Sequence, residues 1–127
     1  MSDLDEHLLQ HLGGPEKLQT IVDDMYSRVL NDPELRGFFA DTEMSRLRKM
    51  QHQFLQSAFG GEVAYTGAEL TAAHANRGIT SHHYASFCGH FADAMQTHGL
   101  DPVVIDRALG RLAIFKDRVT GDANVDG

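Results

Sequence analysis

Two polar residues of this sequence interrupt apolar helical patterns where ligand chemistry would need them. Tyr26 and Gln51 each lie in the middle of an apolar stripe. A buried hydroxyl or amide without a partner costs about 1 to 3 kcal/mol. If their two helices face each other, the side chains could pair with each other and with a polar ligand in an apolar pocket. Alternatively, each reaches a backbone carbonyl or a water molecule.

His74 is a third candidate, four residues after Leu70 in a short segment bracketed by glycines. A single histidine on an apolar face is more often a core or surface residue than a metal ligand. One axial imidazole is nevertheless all that a heme iron needs from the protein, because the porphyrin supplies the other four nitrogens. The Leu70 carbonyl, one turn back, could orient the second ring nitrogen. Spacing alone leaves both interpretations open.

The other histidines suggest no better metal site. His83 and His90 share a helix face, but two histidines without a nearby cysteine or carboxylate make a weak zinc site. His52 follows Gln51 directly, so we expect it to point away from the Gln51 stripe.

Helices must position these residues. Apolar spacing follows the helical period nearly everywhere and no segment alternates with period two, which predicts an all-α fold. A first helix is predicted from Ser2 to the Gly13-Gly14 pair, and a second from Pro15. A brief helical turn follows Pro33, and Thr42 is the predicted cap of the next helix. Gly60-Gly61 ends that helix.

The second half of the chain is predicted to hold a short helix over 68–75, a helix capped by Thr80, and a last helix from Pro102 through Val119. The predicted inner faces of the four long helices are, in chain order, Leu18, Ile21, Val22, Met25, Tyr26, Val29 and Leu30; Met44, Leu47, Gln51, Phe54, Leu55 and Ala58; Tyr84, Phe87, Cys88, Phe91 and Met95; and Ile105, Ala108, Leu109, Leu112, Phe115 and Val119.

Composition excludes several function classes. The length of 127 residues fits a single domain over 1–127, with 120–127 as a frayed tail. A net charge of −7 without clustered Lys and Arg disfavours nucleic-acid binding. No stretch approaches the roughly 20 apolar residues of a membrane-spanning helix. The acidic start and the single cysteine, Cys88, favour the cytoplasm and exclude a disulfide within the chain.

From Gly13 to Val119 the sequence resembles the group I truncated hemoglobins. Each motif is weak alone, and the combination is specific. The motifs are Gly13-Gly14, Met25-Tyr26-Ser27-Arg28-Val29-Leu30, Phe38-Phe39-Ala40-Asp41-Thr42-Glu43-Met44, Phe59-Gly60-Gly61, Tyr65-Thr66-Gly67, Ala73-His74 and Arg77-Gly78-Ile79-Thr80.

The resemblance implies a two-over-two helical sandwich around heme, with His74 as the iron ligand. Tyr26 matches a distal tyrosine and Gln51 a distal glutamine, and both are expected to stabilise bound dioxygen. Phe39 matches the aromatic residue that packs on the porphyrin, and Arg77 a partner of a heme propionate. Further expected heme contacts are Leu47, Phe54, Leu70, Ile79, Tyr84 and Phe87, with Arg46 and Lys49 as additional propionate candidates.

Four departures from the family pattern refine these expectations. Leu47 stands where some relatives carry a polar distal residue, so the hydrogen bonds to a ligand should come from Tyr26 and Gln51. Met50 and Asp117 stand where certain cyanobacterial relatives have histidines that bind iron or attach covalently to heme. We therefore expect non-covalent heme b. Met25 and Leu55 replace bulky aromatics of an apolar ligand tunnel in some members.

The expected function is reversible binding of dioxygen and conversion of nitric oxide to nitrate at ferrous heme, with an unidentified reductase restoring the iron. The alternative is a protein that binds dioxygen or other diatomic gases for storage, delivery or sensing without turnover. A third possibility is a heme-free helical interaction module. A monomer or weak dimer is expected, without nucleic-acid or membrane partners.

Overall fold

Helices build the backbone of the protein in a computed structural model that describes Leu4 and residues 7–60 and 78–120. The α-helices are α1 (Leu8–His11), α2 (Gly14–Leu30), α3 (Met44–Gly60), α4 (Ser81–Thr97), α5 (Pro102–Ala113) and α6 (Lys116–Thr120), and a 3-10 helix covers Arg36–Phe39. No strand occurs within these ranges, which confirms the all-α prediction. The helix predicted over 68–75 lies outside the described residues, as do 121–127 of the predicted tail.

Gly13 sets the start of α2. Its φ of 101° lies in the left-handed region, and a Cβ at this position would lie 2.5 Å from the Lys17 side chain. The helix begins at Gly14, one residue earlier than predicted, and has Pro15 in its first turn. Its predicted inner face is buried except for Leu30, which is half-buried.

The cap of α3 differs from the sequence prediction. Thr42 was the expected cap, but the Glu43 carboxylate accepts the backbone N–H of Ser45 at 3.1 Å and of Arg46 at 3.2 Å. A carboxylate at this position satisfies two N–H groups and also interacts favourably with the helix dipole. The longer acidic side chain therefore replaces the hydroxyl, and the Thr42 prediction is wrong.

The start of α4 is capped as predicted. The Thr80 hydroxyl accepts the backbone N–H of His83, and the Thr80 N–H donates to His83 Nδ1, each at 3.1 Å. This reciprocal pair is a capping box with histidine in the place usually held by Glu or Gln. Nδ1 of His83 is the hydrogen-bond acceptor for the Thr80 N–H in this arrangement.

The last predicted helix is broken into two. α5 ends at Ala113, where the Ile114 and Phe115 N–H groups bond to carbonyls three residues back rather than four. Ile114 is 70% exposed at this turn, so it adds nothing to the inner face. Val104 is buried although the predicted stripe omitted it, because the stripe is rotated relative to the prediction.

The long helices pack in two layers. α2 packs against α3 and α4, and α5 packs against α4 and α3, so that one helix pair lies over the other. Phe59 of α3 and Phe91 of α4 are fully buried and stacked, with ring centroids 6.1 Å apart and an interplanar angle of 4°. This is the expected two-over-two arrangement. No helix within the described ranges is long and apolar enough to cross a membrane.

Histidine–carboxylate pairs join α4 to α2 and to the turn that follows α2. Each histidine donates from Nε2 to a carboxylate oxygen. The pairs are His82 with Glu34 at 2.8 Å, His90 with Asp32 at 2.8 Å, and His98 with Asp24 at 3.2 Å. The His90 hydrogen bond is the main cause that lowers the pKa of the Asp32 carboxyl.

Candidate functional site

Tyr26 lies at the centre of the candidate site, on the buried face of α2. Only 2% of the residue is exposed, and its ring meets Phe39 and Phe87 edge-on, each with a centroid distance of 5.9 Å. No hydrogen bond joins its hydroxyl to another of the described residues. Burial raises the pKa of this hydroxyl well above its ordinary value, and the positive charge of Arg48 opposes the shift in part. The hydroxyl is therefore a protonated donor without an acceptor among the described residues.

Gln51 is half-buried on α3, which packs against α2. No hydrogen bond links it to Tyr26 within the described part of the chain, so the suggested direct pair between the two is not formed. Leu47, one turn before Gln51, is half-buried, and so is Phe54, whose ring packs edge-on against Phe115 at a centroid distance of 5.1 Å. This stretch of α3 thus presents apolar side chains around one amide.

Several apolar residues of α3, α4 and the 3-10 helix, among them the two rings that contact Tyr26, are incompletely covered. Phe39, Leu47, Phe54 and Phe87 all pack against the core but remain half-buried, in contrast to the fully buried side chains elsewhere in the core. Ile79 is also half-buried. An apolar wall that is half-covered, next to a buried donor without an acceptor, has the chemistry of a site for a flat apolar cofactor that carries a small polar ligand. These residues fit a heme.

Tyr84, which was predicted as a heme contact, engages its polar end elsewhere. Its hydroxyl donates to the Leu112 carbonyl of α5. Burial raises the pKa of Tyr84, and burial also raises the pKa of the neighbouring Cys88 thiol to about 11. Contact between the Tyr84 ring and heme stays a prediction.

The predicted propionate partners fall into two groups. Arg46 and Lys49 are exposed on α3, and neither forms an ion pair with another described residue, so both are available to an anionic group. Arg77 lies outside the described residues, together with His74 and Leu70. The roles of all five therefore stay predictions.

The described histidines have partners that explain them without a metal ion. No group of three or more His, Cys, Asp or Glu side chains suitable for a metal occurs within the ranges 7–60 and 78–120. His83 belongs to the α4 cap, and His90 pairs with Asp32. His52 Nε2 lies 2.8 Å from the Pro15 carbonyl, so it has a partner in α2.

Arg48 is a residue that sequence reasoning missed. Its Nε is buried and has no hydrogen-bond partner, and its charge acts on Tyr26. The signal was present in the spacing, since Arg48 precedes Gln51 by three positions and the buried Leu55 by seven, which places all three on one helix face. Arg48 was not among the predicted site residues, because charged residues were considered only as partners of the propionates.

Comparison with known proteins decides the family. A family model described as bacterial-like globin matches residues 7–121. The chain belongs to the bacterial-like globins. The group 1 truncated hemoglobin GlbN of Mycolicibacterium paratuberculosis is 39% identical over 117 residues, which cover 91% of this globin and 86% of the relative. The resemblance inferred from the motifs is therefore confirmed.

Solved structures agree with this assignment. The truncated hemoglobin of Tetrahymena pyriformis in its Fe(III) form superposes with a TM-score of 0.82 at 26% identity, covering 88% of this globin and 96% of the other chain. A 2/2 hemoglobin from Synechococcus, described with covalently attached heme, also gives a TM-score of 0.82 at 26% identity, over 91% and 98% of the two chains. Globin membership supports a heme protein that binds dioxygen and other diatomic ligands.

Proposed function

We propose that this globin holds heme b non-covalently through His74, binds dioxygen reversibly, and converts nitric oxide to nitrate. The observation that carries the proposal is the buried Tyr26, whose ring packs edge-on against Phe39 and Phe87 and whose hydroxyl has no acceptor among the described residues. When bound, heme supplies the iron centre at which dioxygen and nitric oxide meet and which gives up an electron.

Tyr26 supplies a fixed hydrogen-bond donor. Its raised pKa keeps the hydroxyl protonated throughout the physiological pH range, so it can donate to a ligand atom that gains negative charge. The edge contacts with Phe39 and Phe87 hold the ring, and the absence of a competing acceptor leaves the proton available. Gln51 is proposed as a second donor from the facing helix α3.

Variants of a relative support the same two positions. The solved forms of the Tetrahymena pyriformis protein include one tyrosine-to-phenylalanine variant and two glutamine-to-glutamate variants. The separation between that tyrosine and one glutamine equals the separation of Tyr26 and Gln51, and the other glutamine falls at the separation of Leu47. In this globin the second position is therefore apolar, and Tyr26 and Gln51 carry the donor role.

Heme attachment is proposed to rest on coordination, apolar contact and ion pairs. His74 would bind the iron, and the Leu70 carbonyl would orient the second ring nitrogen of His74. The apolar wall against heme would be formed by Phe39, Leu47, Phe54, Ile79, Tyr84 and Phe87. Arg77, with Arg46 and Lys49, would meet the propionates. Asp117 is exposed on α6, and a carboxylate does not form the covalent bond to heme that a histidine forms, which supports the proposal of a non-covalent cofactor. A cytoplasmic monomer or weak dimer, re-reduced by a separate reductase, completes the proposal.

Removal of the proposed axial ligand tests the cofactor. His74→Ala should abolish the Soret band of the purified, heme-reconstituted protein or reduce heme affinity by at least about tenfold. His82→Ala is the matched control, because His82 is exposed and bonds only to Glu34 among the described residues. A Soret band unchanged in His74→Ala would refute the ligand assignment, and a colourless folded wild type would favour a heme-free module.

Removal of the Tyr26 hydroxyl tests the distal donor. Tyr26→Phe should speed dioxygen dissociation by at least about tenfold, since a hydrogen bond to a charged group contributes about 1.5 to 3 kcal/mol. Tyr84→Phe is the matched control, because that hydroxyl is already bonded to the Leu112 carbonyl. Stopped-flow measurement of dissociation would contradict the assignment if the two variants behaved alike.

Mixing the oxygen-loaded protein with nitric oxide tests turnover. Stoichiometric nitrate with oxidation of the heme is expected on the millisecond scale. Slow or absent nitrate formation would leave reversible gas binding for storage, delivery or sensing, which the same donors would also support.

A further inference from the structure

Arg48 is the starting point, since its buried Nε–H has no hydrogen-bond partner. Among the residues that the structure describes, this Nε is the one buried side-chain nitrogen or oxygen that lacks a hydrogen-bond partner. A buried donor that belongs to a charged group and lacks an acceptor is costly, so native structures rarely keep one without a reason. Arginines that only cover apolar surface usually keep their charged end in water, which the buried Nε does not do.

Among the described residues, no acceptor is bonded to the Nε–H of Arg48. Its positive charge lies close enough to Tyr26 to act on that hydroxyl, which is itself buried without a hydrogen bond to the described residues. The nearest acidic residue along α3, Glu43, uses its carboxylate on the backbone N–H groups of Ser45 and Arg46. No ion pair joins Arg48 to a carboxylate within the described ranges.

Arg48 also differs from its cationic neighbours on the same helix. Arg46 and Lys49 are exposed, whereas Arg48 is half-buried on the face that carries Gln51 and Leu55. A buried cationic donor without a partner, near a tyrosine hydroxyl that bonds to none of the described residues, favours a negatively charged acceptor. The planar fork of a guanidinium matches planar oxyanions.

We propose that Arg48 and Tyr26 form a binding site for a small planar oxyanion of the nitrate type, on the Tyr26 side of the pocket. The identity of the anion rests on the proposed function, because nitrate is the product of that reaction. Arg48 would hold nitrate by charge and by its N–H groups, and Tyr26 would donate a further hydrogen bond. Nitrate would then leave the pocket by way of this site and would weaken ligand binding when it accumulates.

Calorimetric titration of the heme-loaded ferric protein with sodium nitrate at constant ionic strength tests the site. Saturable binding is expected, weakened at least about tenfold in Arg48→Gln and less strongly in Tyr26→Phe. Arg36→Gln is the matched control, because it removes the same charge from an exposed position that has no part in the proposed heme or nitrate sites. The Soret spectrum is recorded in parallel, since nitrate taken up by the iron itself would shift it.

Three results would overturn the site: no saturable nitrate binding, equal loss in Arg48→Gln and Arg36→Gln, or affinity unchanged in Arg48→Gln. Circular dichroism and heme content show whether Arg48→Gln folds, and if it does not, Arg48→Lys serves. The lysine variant keeps the charge and loses the planar guanidinium, so its nitrate affinity should lie between that of the wild type and that of Arg48→Gln. Binding is measured without nitric oxide, so its absence leaves the nitric oxide reaction to be judged by its own assay.

Discussion

The two halves of helix α4 make a direct comparison. Its C-terminal half carries Phe91, Ala94 and Met95, which are completely buried, and Phe91 stacks on Phe59 of α3. Its N-terminal half carries Phe87, which is half-buried and touches Tyr26 edge-on. We call the first the closed region and the second the pocket region. The same helices that seal one end of the molecule leave apolar surface uncovered at the other.

The difference between the two regions indicates where a bound heme would complete the packing of the protein. In the closed region, protein side chains alone provide the contacts of a packed core. In the pocket region, apolar walls and the Tyr26 hydroxyl lack contacts that a heme with a ligand would supply. A molecule that binds only the folded state adds its binding free energy to stability, so we expect heme to stabilise chiefly the pocket region.

The largest effect should follow from emptying the closed region. Phe91→Ala should lower the free energy of unfolding by about 3 to 5 kcal/mol, because it leaves a cavity in a fully packed core. Phe87→Ala is the matched change in the pocket region and should cost less in the heme-free protein but more in the heme-loaded one. Urea titrations of both variants in both states measure this. If Phe87→Ala lowered the free energy of unfolding equally with and without heme, the proposed difference between the two regions would be wrong.

Cys88 reports on the pocket region through its reactivity. Because burial raises its thiol pKa from 9.0 to about 11, the reactive thiolate at mildly alkaline pH should be about a hundredfold scarcer than for an unperturbed thiol. Iodoacetamide should therefore label the native protein slowly, and heme loading should slow it further. Labelling at the rate of a free thiol would show that this part of α4 opens readily. The denatured protein serves as the fast control.

Loss of the α4 cap should have a moderate effect. Thr80→Ala removes the oxygen that accepts the His83 N–H and should lower stability by about 1 kcal/mol. Because Thr80 begins the pocket end of α4, heme release should accelerate more than global unfolding does. Thr42→Ala is the matched control, since Glu43 caps α3 in its place. If both threonine variants lost the same stability, the assignment of the two caps would be wrong.

The smallest expected effect concerns pH. The pKa of Asp32 is lowered in the folded state by the His90 hydrogen bond first and by the Glu34 N–H second. A lowered folded-state pKa stabilises the fold at pH values above the ordinary value of about 4, and this contribution disappears as pH falls through the folded pKa. The difference in Tm between wild type and Asp32→Asn should thus be largest near neutral pH and shrink below about pH 4. A difference in Tm that stays constant with pH would contradict this role of the Asp32 carboxylate.

Periodicity and caps predicted most of the fold. The inner face of α2 and the Thr80 cap follow from local rules, because apolar spacing and a hydroxyl before a helix have direct structural consequences. The break after Ala113 was missed, since the apolar pattern continues through Ile114 and Phe115 and tertiary packing decides where the helix stops. Glu43 was passed over because both it and Thr42 are suitable caps, and backbone geometry chooses between them.

The candidate site was predicted less completely. Tyr26 was recognisable as a polar group on an apolar face, and its burial is confirmed. Arg48 was not recognised, because a charged residue is assigned to solvent unless its depth is known. The partial exposure of Phe87 could not be read from the sequence either, since the same apolar residue type fills closed cores and lines pockets.

The histidine–carboxylate pairs along α4 have a consequence for helix register. His82, His90 and His98 recur every eight residues and each meets a fixed acid on the other layer. Because one residue corresponds to about 100° of rotation, a slip of α4 by a single position would separate all three pairs together. Apolar side chains can substitute for one another when a helix turns, whereas these pairs cannot. Together they define the rotation of α4 about its own axis and with it the direction in which Phe87 faces.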